Sequence, residues 1–196
     1  MRLAVTLLSF IVVGCGPAVP SGTPVPTSTP FPSNSPSPPS GPPSFSGSVL
    51  IDPSLLDHLP AQVDGLDVMR SPESDAAAAA DPVVSQHGEA VVTALVIDPP
   101  SGDFAYATVV RLRPGVFTEE LYRSWRETFD EGACSQAGGV VRVAVTTIAD
   151  REVHIDSCEG GLRTYHVWLG NSRILVSVSA VGERRLGERL VEGLKD

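Results

Sequence analysis

Hydrophobic and polar positions divide the chain into three regimes. Leu3 to Val13 is an apolar run broken only by Thr6 and Ser9. Residues 16–48 have no hydrophobic period, whereas residues 49–196 show periods of 2 and 3.6, the marks of strands and amphipathic helices. In this last part Asp52-Pro53 before Leu55, Leu56 and Leu59 predicts a short N-capped helix. A short strand over Leu66–Arg70 follows the turn at Asp64-Gly65, and a helix starts at Ser71-Pro72-Glu73 and runs through Ala80. Asp81-Pro82 ends that helix or restarts it as a second short turn.

Val91–Asp98 and Phe104–Arg113 are β-prone, and the residues between them have the composition of a hairpin connection. The best helix spans Glu119 to about Glu131. Thr118 is its N-cap, Phe117 and Tyr122 stand at the two positions of a hydrophobic staple, and Gly132 suits a C-terminal cap. Leu121, Tyr122, Trp125 and Phe129 give it one apolar face. Glu119/Arg123 and Arg126/Asp130 have the spacing of i,i+4 ion pairs on the other. Four strands follow, at Val140–Ile148, Glu152–Cys158, Leu162–Leu169 and Ile174–Ala180, joined closely enough to form an antiparallel meander. In the last of them Ile174, Val176, Val178 and Ala180 share a face, the pattern of a sheet with one covered side. A closing helix over Glu183–Leu194 offers Leu186, Leu190, Val191 and Leu194 to cover it.

These elements predict a single α+β domain over 49–196, with an antiparallel sheet of about six strands ending in a four-stranded meander and helices packed on it. A tryptophan-bearing amphipathic helix, a meander with a Val/Ser-rich last strand and a C-terminal helix loosely resemble the PsbP-like fold. That fold is also found in mycobacterial lipoproteins of the LpqN type. The resemblance concerns the fold and implies no function.

The amino terminus carries the most specific motif. Arg2 precedes an apolar core too short to cross a membrane, and Gly14-Cys15-Gly16-Pro17 ends it. Val12-Val13-Gly14-Cys15 resembles the lipobox of bacterial lipoproteins. The resemblance implies cleavage before Cys15, acylation of its thiol and anchorage by two or three acyl chains, palmitate among them. Residues 1–14 are then the signal peptide. Residues 15–48, with eleven prolines after Cys15 and no charge, are a disordered Pro/Ser/Thr-rich tether. Such a protein sits on the extracytoplasmic face of the cell envelope, in the outer membrane if there is one and otherwise on the outer face of the cell membrane.

Charge narrows the choice of partner. The chain has 14 basic and 23 acidic residues, for a net charge of -9. Loss of the signal segment removes one arginine and no acid. A chain this acidic is a poor match for nucleic acid, and its membrane attachment must come from the lipid on Cys15 rather than from basic patches. With Cys15 acylated, Cys134 and Cys158 remain as a pair in an oxidising compartment and are expected to form a disulfide.

Candidate chemistry is sparse. There is no Gly-x-Ser-x-Gly elbow, phosphate loop or His-Glu-x-x-His, and no cofactor or metal is implied. His154, Asp156 and Cys158 alternate onto one strand face, with His166 on the next strand. His154, Asp156 and His166 are the set that a hydrolase or metal-dependent enzyme would use. The plainer reading, a solvent-facing sheet surface, is preferred. Arg111 and Arg113 share a strand face and, with Arg163 across the sheet, form a candidate site for an anionic ligand. A solvated face balanced by nearby acids again explains them more simply. The leading expectation is a non-catalytic binding or interaction domain for an unidentified small molecule or protein. The alternative is an accessory subunit of a membrane or cell-wall complex.

Overall fold

The computed structural model describes residues 48–196. The expected signal segment, the expected acylation position Cys15 and the expected tether up to residue 47 lie outside the described residues.

The elements run in the order β1 (Leu50–Ile51), a short 3-10 helix (Pro53–His58), β2 (Gln62–Val63), β3 (Leu66–Asp67), β4 (Met69–Arg70), α1 (Pro72–Ala80), α2 (Pro82–His87), β5 (Gly88–Asp98), β6 (Asp103–Leu112), α3 (Glu119–Cys134), β7 (Val140–Ile148), β8 (Arg151–Cys158), β9 (Arg163–Leu169), β10 (Ile174–Val181) and α4 (Leu186–Glu192). The main sheet has the order β1-β5-β6-β10-β9-β8-β7, and β4 also pairs with β5. All pairings are antiparallel except β1 with β5. The fold is therefore α+β with a mostly antiparallel mixed sheet, wider than the six strands expected. The added strands are β1, two residues with no period in the sequence, and β4, which together with β3 takes the place of the single strand expected over Leu66–Arg70. The meander β7–β10 forms as expected, and β10 joins it to the β5–β6 hairpin.

Helices cover both faces of the sheet, not one. On the first face α4, the 3-10 helix and the small β2–β3 hairpin bring Leu55, Leu59, Val63, Leu186 and Leu190 onto Val92, Val109, Val167, Val176 and Val178. Helix α4 can come this close because Gly187 has no side chain: a Cβ there would stand 2.6 Å from Ala180 Cβ and 2.8 Å from the Tyr165 ring. On the second face α2 and α3 bring Val84, Tyr122 and Trp125 onto Val91, Val110 and Leu175. Alternation along β10 thus feeds two cores, and the residues opposite Val176 and Val178 are buried as well.

Two helix boundaries depart from expectation. Helix α3 runs past Gly132 to Cys134, where the disulfide to Cys158 ties it to the end of β8 with Cα atoms 5.3 Å apart. Helix α4 starts at Leu186 rather than near Glu183. The preceding residues are strapped to the β5–β6 hairpin: Arg184 donates its backbone N–H to Asp103 at 2.8 Å, and its guanidinium pairs with Asp98 at 2.8 Å. Gly182, at φ +113, makes that approach possible, since a Cβ would stand 2.0 Å from the Asp103 carboxyl carbon.

Candidate functional site

The second face of the sheet holds the chemistry. Register places Thr93, Thr108, Ser177, His166 and His154 side by side across five strands, β5 to β8 in spatial order. Strands β6, β10 and β9 contribute an apolar row beside it, Val110, Leu175 and Trp168. A polar row under helices needs partners, and two helical carboxylates supply them. Asp75 of α1, fully buried, accepts from the Thr93 backbone N–H and hydroxyl, both at 2.8 Å, and pairs with Arg70. Asp130 of α3, 3 % exposed, meets His166 Nε2 at 2.8 Å.

Helix α3 is laid along the meander by a ridge of residues four apart: Tyr122, Arg126, Asp130 and Cys134. Tyr122 meets the His154 ring edge-on at 5.4 Å. Arg126 donates to His154 Nδ1 at 2.5 Å while stacking over the Tyr122 ring. Arg126 and Asp130 are therefore not the solvent-facing ion pair that their spacing suggested. Thr118 does cap the helix, accepting from the Leu121 N–H at 3.0 Å, and Phe117 packs against Tyr122 at 6.0 Å as the staple requires. Phe117 also stacks on Trp168 with centroids 4.0 Å apart.

His154, Asp156 and His166 are brought together, but beneath α3 rather than facing solvent. His166 is 1 % exposed with both nitrogens engaged. Trp125 donates its indole N–H to Ser177 Oγ at 2.9 Å. His166 Nε2–H donates to the Asp130 carboxylate, and Nδ1 lies 2.9 Å from the Ser177 hydroxyl. The result is a closed chain, Trp125 to Ser177 to His166 to Asp130. It contains the residue types of a serine nucleophile with its base, but Ser177 is 1 % exposed and lies under the Trp125 ring. The network satisfies buried polar groups and fixes the seat of α3 on the sheet.

Charge at the far end of this network is unevenly shared. Burial alone would raise the Asp130 pKa, but the hydrogen bond and positive field of His166 overcome it and hold the carboxyl below its ordinary value. Asp156 is pushed up to about 6, by burial first and then by the neighbouring Asp130 carboxylate. The two carboxyls border an open acidic groove with Glu127, Glu131 and Val140. His154 is lowered by burial and by Arg126, and its Nε2 faces Glu152 at 3.1 Å. Among the described residues no group of three or more His, Cys, Asp or Glu side chains is placed to hold a metal ion.

The three arginines do not converge. Arg111 pairs with Asp52 at 3.1 Å, and Arg113 donates to the carbonyls of Gln86 and Ser85 at the end of α2. Arg163 aligns with Ala180, whereas Arg111 aligns with Ile174, six residues along the same strand, or ~20 Å. It borders a separate hollow with Tyr165 and Arg185.

One apolar concavity was not foreseen. It is a cleft of about 210 Å³ on the second face, between the α1–α2 pair and α3. Tyr106 and Thr108 of β6 contribute its hydroxyls, and Trp125 and Phe129 form one wall. Ala77, Ala78, Val83 and Val84 form the other. The alanine run of α1 was the only hint in the sequence: small side chains on a short helix leave room beside a neighbour that carries large ones. No protein-family model matches the chain, and neither a curated protein nor a solved structure matches it.

Proposed function

We propose that this protein is an envelope lipoprotein, held by acyl chains on Cys15, whose α+β domain binds a ligand without transforming it. The observation that carries the binding role is the cleft between α1–α2 and α3, where apolar walls stand over a floor bearing hydroxyl groups, the usual make-up of a small-molecule site. The disulfide between Cys134 and Cys158 supports an extracytoplasmic setting, since such bonds persist in oxidising compartments. The lipobox-like Val12-Val13-Gly14-Cys15 supports the anchor, and the net charge of -9 leaves attachment to the lipid. The closed state of the Ser177–His166–Asp130 chain favours binding over catalysis, because a reacting group must meet its substrate.

Two measurements test the parts separately. The intact mass of protein extracted from membranes should equal a chain starting at acylated Cys15; an unmodified Cys15 or another first residue defeats the anchor. A thermal-shift screen of small uncharged molecules should find binders whose effect is lost in Thr128→Trp, a bulky substitution at the exposed rim of the cleft. Binders indifferent to that substitution defeat the cleft.

A second reading, an accessory subunit that docks on another protein, is favoured by one specific feature. Strand β7 is an edge of the sheet with Val141, Val143 and Val145 at 62 %, 64 % and 55 % exposure. An edge strand this apolar is a template for pairing with another chain.

A further inference from the structure

The cleft is more selective than a general apolar hollow, and the following proposal rests on the binding role given above. We infer that its ligand is a small, uncharged ring compound, one ring or two fused rings, carrying a hydrogen-bonding group.

Size sets the first limit. An apolar cavity of about 150 Å³ holds benzene. A cleft of about 210 Å³ therefore admits a somewhat larger ring system, such as two fused rings.

The walls set the second. Trp125 turns its only polar atom down to Ser177, and so offers the cleft nothing but ring carbon. Phe129 is fixed edge-on against His166 at 5.2 Å, held by the same network. Two aromatic side chains locked from below make a rigid surface suited to a flat ring, with centroids at 4.5–7 Å in offset or edge contact. The opposite wall is alanine and valine, which a flat ring fills without rearrangement.

Charge sets the third. Asp81 is the single carboxylate on the lining, and its Oδ1 is committed to capping α2, accepting from Val83 N–H at 2.9 Å and Val84 N–H at 3.0 Å. The Ser74 hydroxyl is already bonded to Ser71 at 2.9 Å. No basic side chain lines the cleft, so an anion would enter unpaired, at heavy desolvation cost. The hydroxyl of Thr108, on a residue only 7 % exposed at the floor, is placed to meet a polar atom of the ligand, with Tyr106 beside it on the same strand face.

The test uses the exported chain with Cys15→Ser, so that neither lipid nor detergent competes for the cleft. Binding is read by equilibrium dialysis and by the shift in melting temperature with three probes: 2-naphthol, 2-naphthoate and 1-dodecanol. 2-Naphthol should bind and raise the melting temperature, and 2-naphthoate should bind about tenfold more weakly or worse. Thr108→Val, which removes the hydroxyl but keeps the shape, should weaken 2-naphthol about tenfold, and Thr128→Trp should abolish it. Thr128 is exposed on α3, so that variant should fold, and Ala78→Phe plugs the cleft from the other wall as a check. If 2-naphthoate or 1-dodecanol binds as well as 2-naphthol and is lost on plugging, the ligand class is wrong while the cleft remains a site. If no probe binds, or plugging changes nothing, the cleft reading falls together with the proposal.

Discussion

Asp156 is the residue whose substitution says most about the buried network. Its folded pKa, about 6, lies above its ordinary 3.8, so the folded protein holds that proton more tightly than the unfolded chain does. The cost of ionising it therefore grows as pH rises from 3.8 to about 6 and is complete above that. Asp130 has the opposite sign: lowered in the fold, it contributes stability that is lost as pH falls below the ordinary carboxylate range. His154, also lowered, costs stability as pH falls through 6.5, because the unfolded chain takes up the proton first. Asp156→Asn mimics the protonated form and can still donate to Asp130. It should stabilise the protein by about 1–2 kcal/mol at neutral pH. The gain should vanish near pH 4, as read by urea melts at both values. A second residue-scale expectation concerns the β7–β8 turn, where Ala149 and Asp150 have φ of 47° and 62°. Two positive φ values are the pattern that favours Asn-Gly, so Ala149→Asn should add about 0.5–1 kcal/mol to chemical stability.

At the scale of elements, α3 is the piece on which both candidate sites depend. Its N-terminal cap, its staple and its aromatic stripe were all legible, because they are local and repeat within one turn or two. Removing the cap hydroxyl with Thr118→Ala should cost about 1 kcal/mol in the same melts, without moving the disulfide end of the helix. What escaped the sequence is which face of α3 is turned down. Arg126 and Asp130 look like an exposed pair by spacing. Yet they lie on the i+4 ridge with Tyr122 and Cys134, and it is the partners on β8 and β9 that pull the ridge onto the sheet. The alternation of His154, Asp156 and Cys158 along β8, with His166 beside it on β9, misled in the same way, since polar residues on a strand imply water only if no helix arrives with matching carboxylates.

For the molecule as a whole, the link between Cys134 and Cys158 closes 24 residues of sequence and joins α3 to the meander. Its reduction should lower the unfolding free energy by roughly 3 kcal/mol and loosen the acidic groove beside it, seen as a lower urea midpoint in reductant. The exposed edge at β7 makes a separate prediction. Val143→Lys with Val145→Lys should leave the melting temperature within a few degrees, since both side chains stand in solvent. Any partner that co-purifies through this edge should be lost; a partner retained unchanged must dock elsewhere.

The sequence alone determined the α+β class, the meander, the capped amphipathic helix and the pairing of two cysteines. Each follows from a local period, a cap or a count, which the chain carries whatever its final shape. Tertiary structure alone decided that both sheet faces are covered, that Asp130 and Ser177 enclose His166, that Arg163 stands apart from Arg111 and Arg113, and that a cleft opens beside Trp125. These depend on cross-strand register and on the angle at which a helix meets the sheet. Both are set by contacts between residues far apart in the chain, such as Trp125 with Ser177 and Asp130 with His166, which no local pattern encodes.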